Sequence, residues 1–231
     1  MNYAVVVAAG KSERMGPEVD KAFLSLGTKP VLAYSLDAFE KCHEIDGVVL
    51  VVRKDRVDSA RAMAEMFGCS KVRKVVAGGG LRQVSVWNGL SQLNEDVEIV
   101  AVHDGARPCV TPELISETVK AAKRWGSGVA AVRITDTVKY VEKGLTVDRT
   151  MDRSKLWAVQ TPQTFKRELL MKAFEAIRKK GATVTDEASA VELISEPVHL
   201  VPAPVTNIKL TTPDDLVMAT ALLNLYRNLQ A

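Results

Sequence analysis

Cysteine is scarce in this chain, with three residues in 231, Cys42, Cys69 and Cys109, and no CxxC pair among them. An odd and scattered set of thiols excludes a disulfide framework and a zinc ribbon and fits a reducing compartment, so a cytoplasmic protein is expected. No apolar stretch approaches the roughly 20 residues that span a bilayer, and the opening Met1-Asn2-Tyr3-Ala4 carries no basic leader ahead of its apolar run. Neither secretion nor membrane insertion is expected. Charge of one sign is missing too: 31 basic side chains stand against 28 acidic ones, a net charge of +3. So even a balance gives no footing for nucleic acid or a membrane surface, and any anion site must be local. Internal repeats, low-complexity runs and interdomain linkers do not stand out either.

What is present, 47% hydrophobic and 26% charged residues, suffices for one sizeable core, and a single domain over residues 1–231 is the expectation. Short valine-rich runs at residues 3–8, 48–52, 72–77, 99–102 and 129–134 read as strands covered on both faces. Segments of helical period lie between and after them. Residues 112–125 have Thr111 to cap the first turn, Pro112 at the first helical position, Glu113 near the positive end and Gly126 to stop it. Residues 167–180 carry Leu169, Leu170, Ala173, Phe174 and Ile177 on one face and end at Gly181. A last helix starts at residues 212–215 and runs towards Leu225. The alternation predicts an α/β fold, a Rossmann-like, mostly parallel sheet with helices on both faces and ligands beyond the carboxyl ends of its strands. Residues 137–160 break the pattern: they are β-prone and polar, with a turn at Lys143-Gly144 and no helical stripe. They read as a protruding β-hairpin arm. A lone ribbon is marginal in water, so the arm is expected to pack on its copy in a second subunit, giving a homodimer.

The first strand empties into Ala8-Ala9-Gly10-Lys11-Ser12-Glu13-Arg14-Met15-Gly16. Small residues let backbone N–H groups approach an anion, Arg14 can reach phosphate oxygens with two donors, and Lys21 adds a point charge. Gly10-Lys11-Ser12 mimics the end of a P-loop, but that motif needs a glycine where Val5 stands. A dinucleotide fingerprint fails as well, because Ser12 occupies the place of the second glycine.

Further motifs follow in order: Gly78-Gly79-Gly80-Leu81-Arg82-Gln83-Val84-Ser85, His103-Asp104-Gly105-Ala106-Arg107-Pro108, Thr161-Pro162-Gln163, Thr185-Asp186-Glu187-Ala188-Ser189 and Asn207-Ile208-Lys209. Together with the first loop they resemble the 2-C-methyl-D-erythritol 4-phosphate cytidylyltransferase family over essentially the whole chain. The resemblance implies the nucleotide-diphospho-sugar transferase type of sheet and the coupling of CTP to a small polyol phosphate with release of pyrophosphate. It implies catalytic roles for Arg14, Lys21, Arg153 and Lys209, the last two at the polyol phosphate, with Arg153 completing the site of a second subunit if the arms exchange. Backbone at Ala8, Ala9, Gly10 and Gly79, with the Ser85 hydroxyl, would recognise cytosine and leave too little room for a purine. Arg82, Asp104, Ala106, Arg107, Thr137, Thr161, Thr185 and Asp186 complete the implied substrate contacts. Departures occur at Gly80, Leu81 and Val84, where relatives often carry acidic residues, and at Gly105, where alanine is common.

The chemistry suits these residue types. Attack by a phosphate oxygen on the α-phosphorus gathers negative charge, so cations and fixed donors are required. A phosphate monoester loses its second proton near pH 6 and needs no general base, in keeping with only three histidines. Magnesium, the implied cofactor, is commonly held by one or two carboxylates plus substrate phosphates, and Asp104 is the carboxylate expected nearest to it. Asp104 also suits a turn cap, and His103 a structural imidazole. Thr137 fits a strand, Thr161 the extended residue before proline and Thr185 a helix cap as well as they fit substrate contacts. Lys209, after the apolar run 198–205, reads either as a solvated strand-end lysine or as a phosphate ligand. A ribitol 5-phosphate cytidylyltransferase and a catalytically silent nucleotide-binding module are the competing readings.

Overall fold

The computed structural model describes residues 1–10 and 20–230. Its centre is a seven-stranded sheet. The strands are β1 (Asn2–Ala8), β4 (Gly47–Val52), β5 (Val72–Ala77), β6 (Ile99–Asp104), β7 (Ser127–Arg133), β10 (Trp157–Lys166) and β11 (Leu200–Pro202), in the spatial order β11-β7-β10-β6-β1-β4-β5. Neighbours β6, β1, β4 and β5 are all parallel, as are β7 and β11, and β10 alone runs antiparallel between β6 and β7.

Side chains alternate between the two faces of a strand, and here each face has its own core. Ala4 and Val6 of β1, Val48, Leu50 and Val52 of β4, and Ile99 and Ala101 of β6 pack beneath α1 (Val31–Lys41), α2 (Val57–Met66) and α4 (Pro112–Trp125). Val5, Val49, Val51, Val100 and Val102 point the other way, into α3 (Arg82–Leu90), α5 (Arg167–Lys180) and α6 (Glu187–Glu192). Valine on both sides is what burial under two helical layers demands. The ends of α4 are as predicted: Thr111 Oγ1 accepts from the Leu114 N–H at 3.3 Å, and Gly126, at φ 87°, closes the helix in the left-handed region. Helix α7 (Pro213–Gln230) packs with Leu26, Val31, Cys109 and Leu210 in a third cluster beside the short hairpin of β2 (Ser25–Leu26) and β3 (Lys29–Pro30).

The arm is shorter than the sequence predicts. Its ladder is a two-by-two pairing of β8 (Lys139–Tyr140) with β9 (Arg149–Thr150), and residues 157–160 belong to β10 in the central sheet. Pro162 makes that stretch look unlike a central strand, since proline donates nothing to a ladder. The conflict is resolved locally: pairing with β7 shifts register between Val159 and Gln163, and pairing with β6 begins at Gln163, so Pro162 falls in the irregular step. Among the described residues no helix is long and apolar enough to cross a membrane.

Candidate active site

Because β1, β4, β5 and β6 are parallel, their carboxyl ends share one edge of the sheet, and a cleft of about 330 Å³ opens there. The loops after β1 and β5 form one wall, with Ala8, Ala9 and Gly10 facing Gly78, Gly79 and Gly80. They approach so closely that a Cβ on Gly78 would collide with the Ala9 Cβ and lie 2.7 Å from the Ser85 Oγ, so glycine is needed there. Ser85 Oγ accepts from the Gly79 N–H at 3.0 Å and can donate to the Leu81 carbonyl at 3.2 Å, which ties the glycine loop to the start of α3.

The floor is a line of alternating charges. Asp104, the last residue of β6, accepts from Arg82 Nε at its Oδ1 (3.0 Å) and from Lys209 Nζ at its Oδ2 (2.7 Å). Burial alone would raise the Asp104 carboxyl, but Arg82 and Lys209 outweigh it and hold it well below the usual carboxylate range. Arg82 in turn donates from both terminal nitrogens to Glu187, at 2.7 and 3.0 Å. Burial works against the Arg82 charge, yet Glu187 and Asp104 keep the guanidinium more firmly protonated than usual. Lys21 lines the same cleft, its Nζ donating to the Leu210 carbonyl at 3.1 Å.

Several motif residues prove to be the fasteners of this floor. Asn207, fully buried, donates to Gln160 Oε1 and to the Thr161 carbonyl, and its own carbonyl accepts from Arg107 at 2.7 Å. These bonds set the segment from which Lys209 reaches Asp104. Gln163 donates to Asp186 Oδ2 and accepts from the Ala188 N–H, both at 2.9 Å, so it fixes the turn into α6. Asp186 also caps that helix through the Ser189 N–H; burial works against its charge, but the bonds from Ser189 and Gln163 hold it below its ordinary value. Thr161 Oγ1 accepts from the Asp104 N–H at 3.1 Å and lies 3.1 Å from His103 Nδ1. His103 is buried completely, and that burial pushes its pKa down to about 3, so it is a neutral structural imidazole.

Of the residues expected to bind or act, Ala8, Ala9, Gly10, Lys21, Gly79, Arg82, Ser85, Asp104, Ala106 and Lys209 all line the cleft. Arg107, Thr161 and Asp186 do not line it and serve the contacts just described. Thr185 is exposed, its hydroxyl 3.3 Å from Ser189 Oγ. Thr137 and Arg153 are exposed outside the cleft, with Arg153 Nη1 donating to the Thr135 carbonyl. Arg14 lies outside the described residues. Sequence reasoning missed Glu187, and it missed Arg53, Lys54 and Asp20 on the rim, where the buried Asp20 carboxylate lies 3.3 Å from Arg56 Nε and 3.9 Å from Arg53 Nε. Arg53 and Lys54 directly follow β4, so the rule that ligands gather at strand exits would have flagged them.

The chain matches the 2-C-methyl-D-erythritol 4-phosphate cytidylyltransferase family over residues 2–225. It is 45% identical over 223 residues to the protein of that name from Desulforamulus reducens, covering 95% of this chain and 94% of that one. With the protein of the same name from Dehalococcoides mccartyi it shares 46% identity over 220 residues, covering 95% of each. The crystal structure of 4-diphosphocytidyl-2C-methyl-D-erythritol synthase from Anaerococcus prevotii superposes with a TM-score of 0.85 at 31% identity, covering 97% of this chain and 98% of that one. The 2-C-methyl-D-erythritol 4-phosphate cytidylyltransferase of Thermus thermophilus gives a TM-score of 0.79 at 31% identity, covering 95% and 98%. With the strand-exit cleft, its glycine-lined wall and its ionised floor, these matches establish that the chain belongs to the 2-C-methyl-D-erythritol 4-phosphate cytidylyltransferase family.

Proposed function

We propose that this protein transfers the cytidylyl group of CTP to 2-C-methyl-D-erythritol 4-phosphate, giving 4-diphosphocytidyl-2-C-methyl-D-erythritol and pyrophosphate, a step of non-mevalonate isoprenoid synthesis. The observation that carries the reading is the ionised Asp104 set between Arg82 and Lys209 at the end of β6, in a cleft that Lys21 also lines. A phosphate oxygen of the acceptor attacks the α-phosphorus of CTP, the bond from that phosphorus to the bridging oxygen breaks, and the electron pair leaves with pyrophosphate. No proton need be removed from the nucleophile, and the neutral, buried His103 is not asked to do so.

The chain's own contribution is charge and alignment. The backbone of residues 8–10 with the glycine wall receives the nucleotide, Arg14 and Lys21 neutralise the phosphates, and Lys209 presents its ammonium to the acceptor phosphate. The donor set suits one magnesium ion of the kind held by a single carboxylate together with substrate phosphates. Asp104 would hold it, since each of its oxygens keeps a lone pair beyond the bond it already accepts. A divalent ion so placed would offset charge on the triphosphate. Among the described residues no group of three or more His, Cys, Asp or Glu could hold a metal ion by itself.

The arm supports the reading of a homodimer. Tyr140 on the two-by-two ladder and Val141, Leu145 and Val147 in the connection between its strands are exposed apolar side chains, and a ribbon so small gains by packing on its copy. Arg153, outside its own cleft, is then available to a second subunit. A cytoplasmic protein agrees with three buried, unpaired thiols.

The test is a matrix of CTP, UTP, GTP and ATP against 2-C-methyl-D-erythritol 4-phosphate and ribitol 5-phosphate, with and without magnesium, read as pyrophosphate release. Turnover is expected with CTP, the erythritol phosphate and magnesium together. Preference for ribitol 5-phosphate or for another nucleotide would replace the reading, and an inert matrix would refute it.

A further inference from the structure

We propose that Glu187 is a positioning residue for cytidylyl transfer, acting through Arg82 on Asp104 and through Asp104 on Lys209. The inference rests on the cytidylyltransferase reading above and adds to it a residue that no substrate reaches. Glu187 has no exposed surface and does not line the cleft, whereas Arg82, with its side chain 28% exposed, does. The pair therefore runs from the interior to the floor.

Its geometry gives it a use beyond neutralising one arginine. The two oxygens of Glu187 accept from Nη1 and Nη2 of Arg82, a fork that fixes the plane of the guanidinium. A planar guanidinium held by its far edge has its remaining inner donor set in direction, and that donor, Nε, meets Asp104 Oδ1 at 3.0 Å. With Oδ1 so engaged, Oδ2 is left to Lys209 Nζ at 2.7 Å. Four charges alternate in sign along the chain Glu187, Arg82, Asp104, Lys209. Removing the first frees the Arg82 fork to turn onto Asp104, take both of its oxygens and displace Lys209.

Glu187 is itself held by main-chain geometry. It is the first residue of α6, between the cap Asp186 and Ala188, and both of those are bound by Gln163. Thr161-Pro162-Gln163 and Thr185-Asp186-Glu187-Ala188-Ser189 are thus one device. Gln163 fixes the turn, the turn aims Glu187, and Glu187 aims Arg82.

The test compares steady-state kinetics of wild type, E187Q, E187D, R82M and the E187Q/R82M double variant. E187Q keeps the size of the side chain but faces one terminal nitrogen of Arg82 with an amide donor. It should lower kcat/KM for the polyol phosphate about 10- to 100-fold, the effect of losing a partner that orients a reacting group, through a raised KM for that substrate and little change in KM for CTP. E187D, which keeps the charge, should recover part of the loss, and R82M and the double variant should agree within about twofold, as for residues acting as one unit. A crystal structure of E187Q supplies a readout independent of turnover: Arg82 forked onto Asp104 and Lys209 Nζ beyond about 3.5 Å from Oδ2. The proposal is overturned if E187Q keeps the wild-type network or the wild-type KM for the polyol phosphate, or if E187Q costs as much without Arg82 as with it. Should E187Q not fold, the selective rise in KM must appear in E187D and R82M, and its absence there overturns the proposal equally. An inactive wild type would instead refute the cytidylyltransferase reading, and the E187Q crystal structure would still decide the network.

Discussion

A Lys21→Ala variant is expected to lose about 10²- to 10³-fold in kcat for cytidylyl transfer, the loss seen when a fixed donor to a charge-gathering transition state is removed. Lys21 lines the cleft that holds Ala8, Ala9, Gly10 and Asp104, and its ammonium is steadied by the Leu210 carbonyl at 3.1 Å. Charge on the α-phosphoryl group is greatest in the transition state, so the loss should fall on kcat more than on the KM for CTP. Stability should fall only modestly. The hydrogen bond from the charged ammonium to the Leu210 carbonyl is worth about 1.5–3 kcal/mol, on the order of 3–12 °C in Tm for a chain of this length. Lys21→Arg, which keeps the charge, should recover part of the rate. Kinetics beside a thermal melt separate the two effects, and an unchanged kcat in a folded Lys21→Ala protein would remove Lys21 from the mechanism.

Asp104→Asn should abolish measurable turnover and also weaken the fold. The amide would leave the charges of Arg82 and Lys209 facing a neutral group that offers a donor to one of them. Breaking a buried ionic pair from one side costs about 3–5 kcal/mol. The pH dependence of that cost has a definite sign. Burial pushes Asp104 up, but Arg82, Lys209 and Arg107 pull its folded-state value well below the ordinary one. A group so depressed contributes stability that is fully present above the unfolded value, near pH 4, and is lost as pH falls towards the folded value. In metal-free buffer, the difference in unfolding free energy between wild type and Asp104→Asn should be flat from about pH 6 to 8 and shrink below about pH 4. Glu187 has the opposite sense, because burial raises it against the pull of Arg82, so wild type alone would give a composite acid limb. The difference between the two proteins isolates Asp104. A difference that grows towards acid pH would mean that the Asp104 contacts do not stabilise its ionised form.

Much of this was legible before the fold was seen, for identifiable reasons. Strands buried on both faces leave little room for polar side chains, so β1, β4 and most of β6 stand out as apolar runs, and α4 and α5 announce their ends with Thr111, Gly126 and Gly181. Residues 72–77 depart from the expectation of cover on both faces: β5 is the edge strand, and its Arg73 and Lys74 are exposed. Helices α1, α2 and α3 were not predicted. For α2 and α3 the buried set is small, only Ala60, Met63 and Ala64 in the one and Ser85, Val86, Gly89 and Leu90 in the other, and α1 begins at Val31 with no side-chain cap. The first four residues of β10, 157–160, fall within the stretch expected as the arm, because the strand is interrupted by Pro162 just beyond them, and a register shift against β7 accommodates it in the sheet.

The site divides in the same way. Small or charged residues that line the cleft near strand exits, such as Gly10, Lys21, Asp104 and Lys209, could be read from motif and position. Those whose task is to hold others could not. Arg107, Thr161 and Asp186 sit in the same short motifs as the cleft residues, and only their tertiary partners separate a fastener from a ligand. Glu187 was passed over for a related reason: next to Asp186 at a helix start, it reads as one more acidic residue in a first turn. Its role depends on Arg82, which lies 105 positions away in sequence.

The most direct measurement is a crystal structure of the protein with CTP bound. The account predicts the triphosphate along the loop after β1, Lys21 Nζ within about 3.5 Å of a phosphate oxygen, and the α-phosphorus on the side of Asp104 and Lys209. A triphosphate seated away from the exits of β1 and β6, with Lys21 and Asp104 untouched, would contradict it.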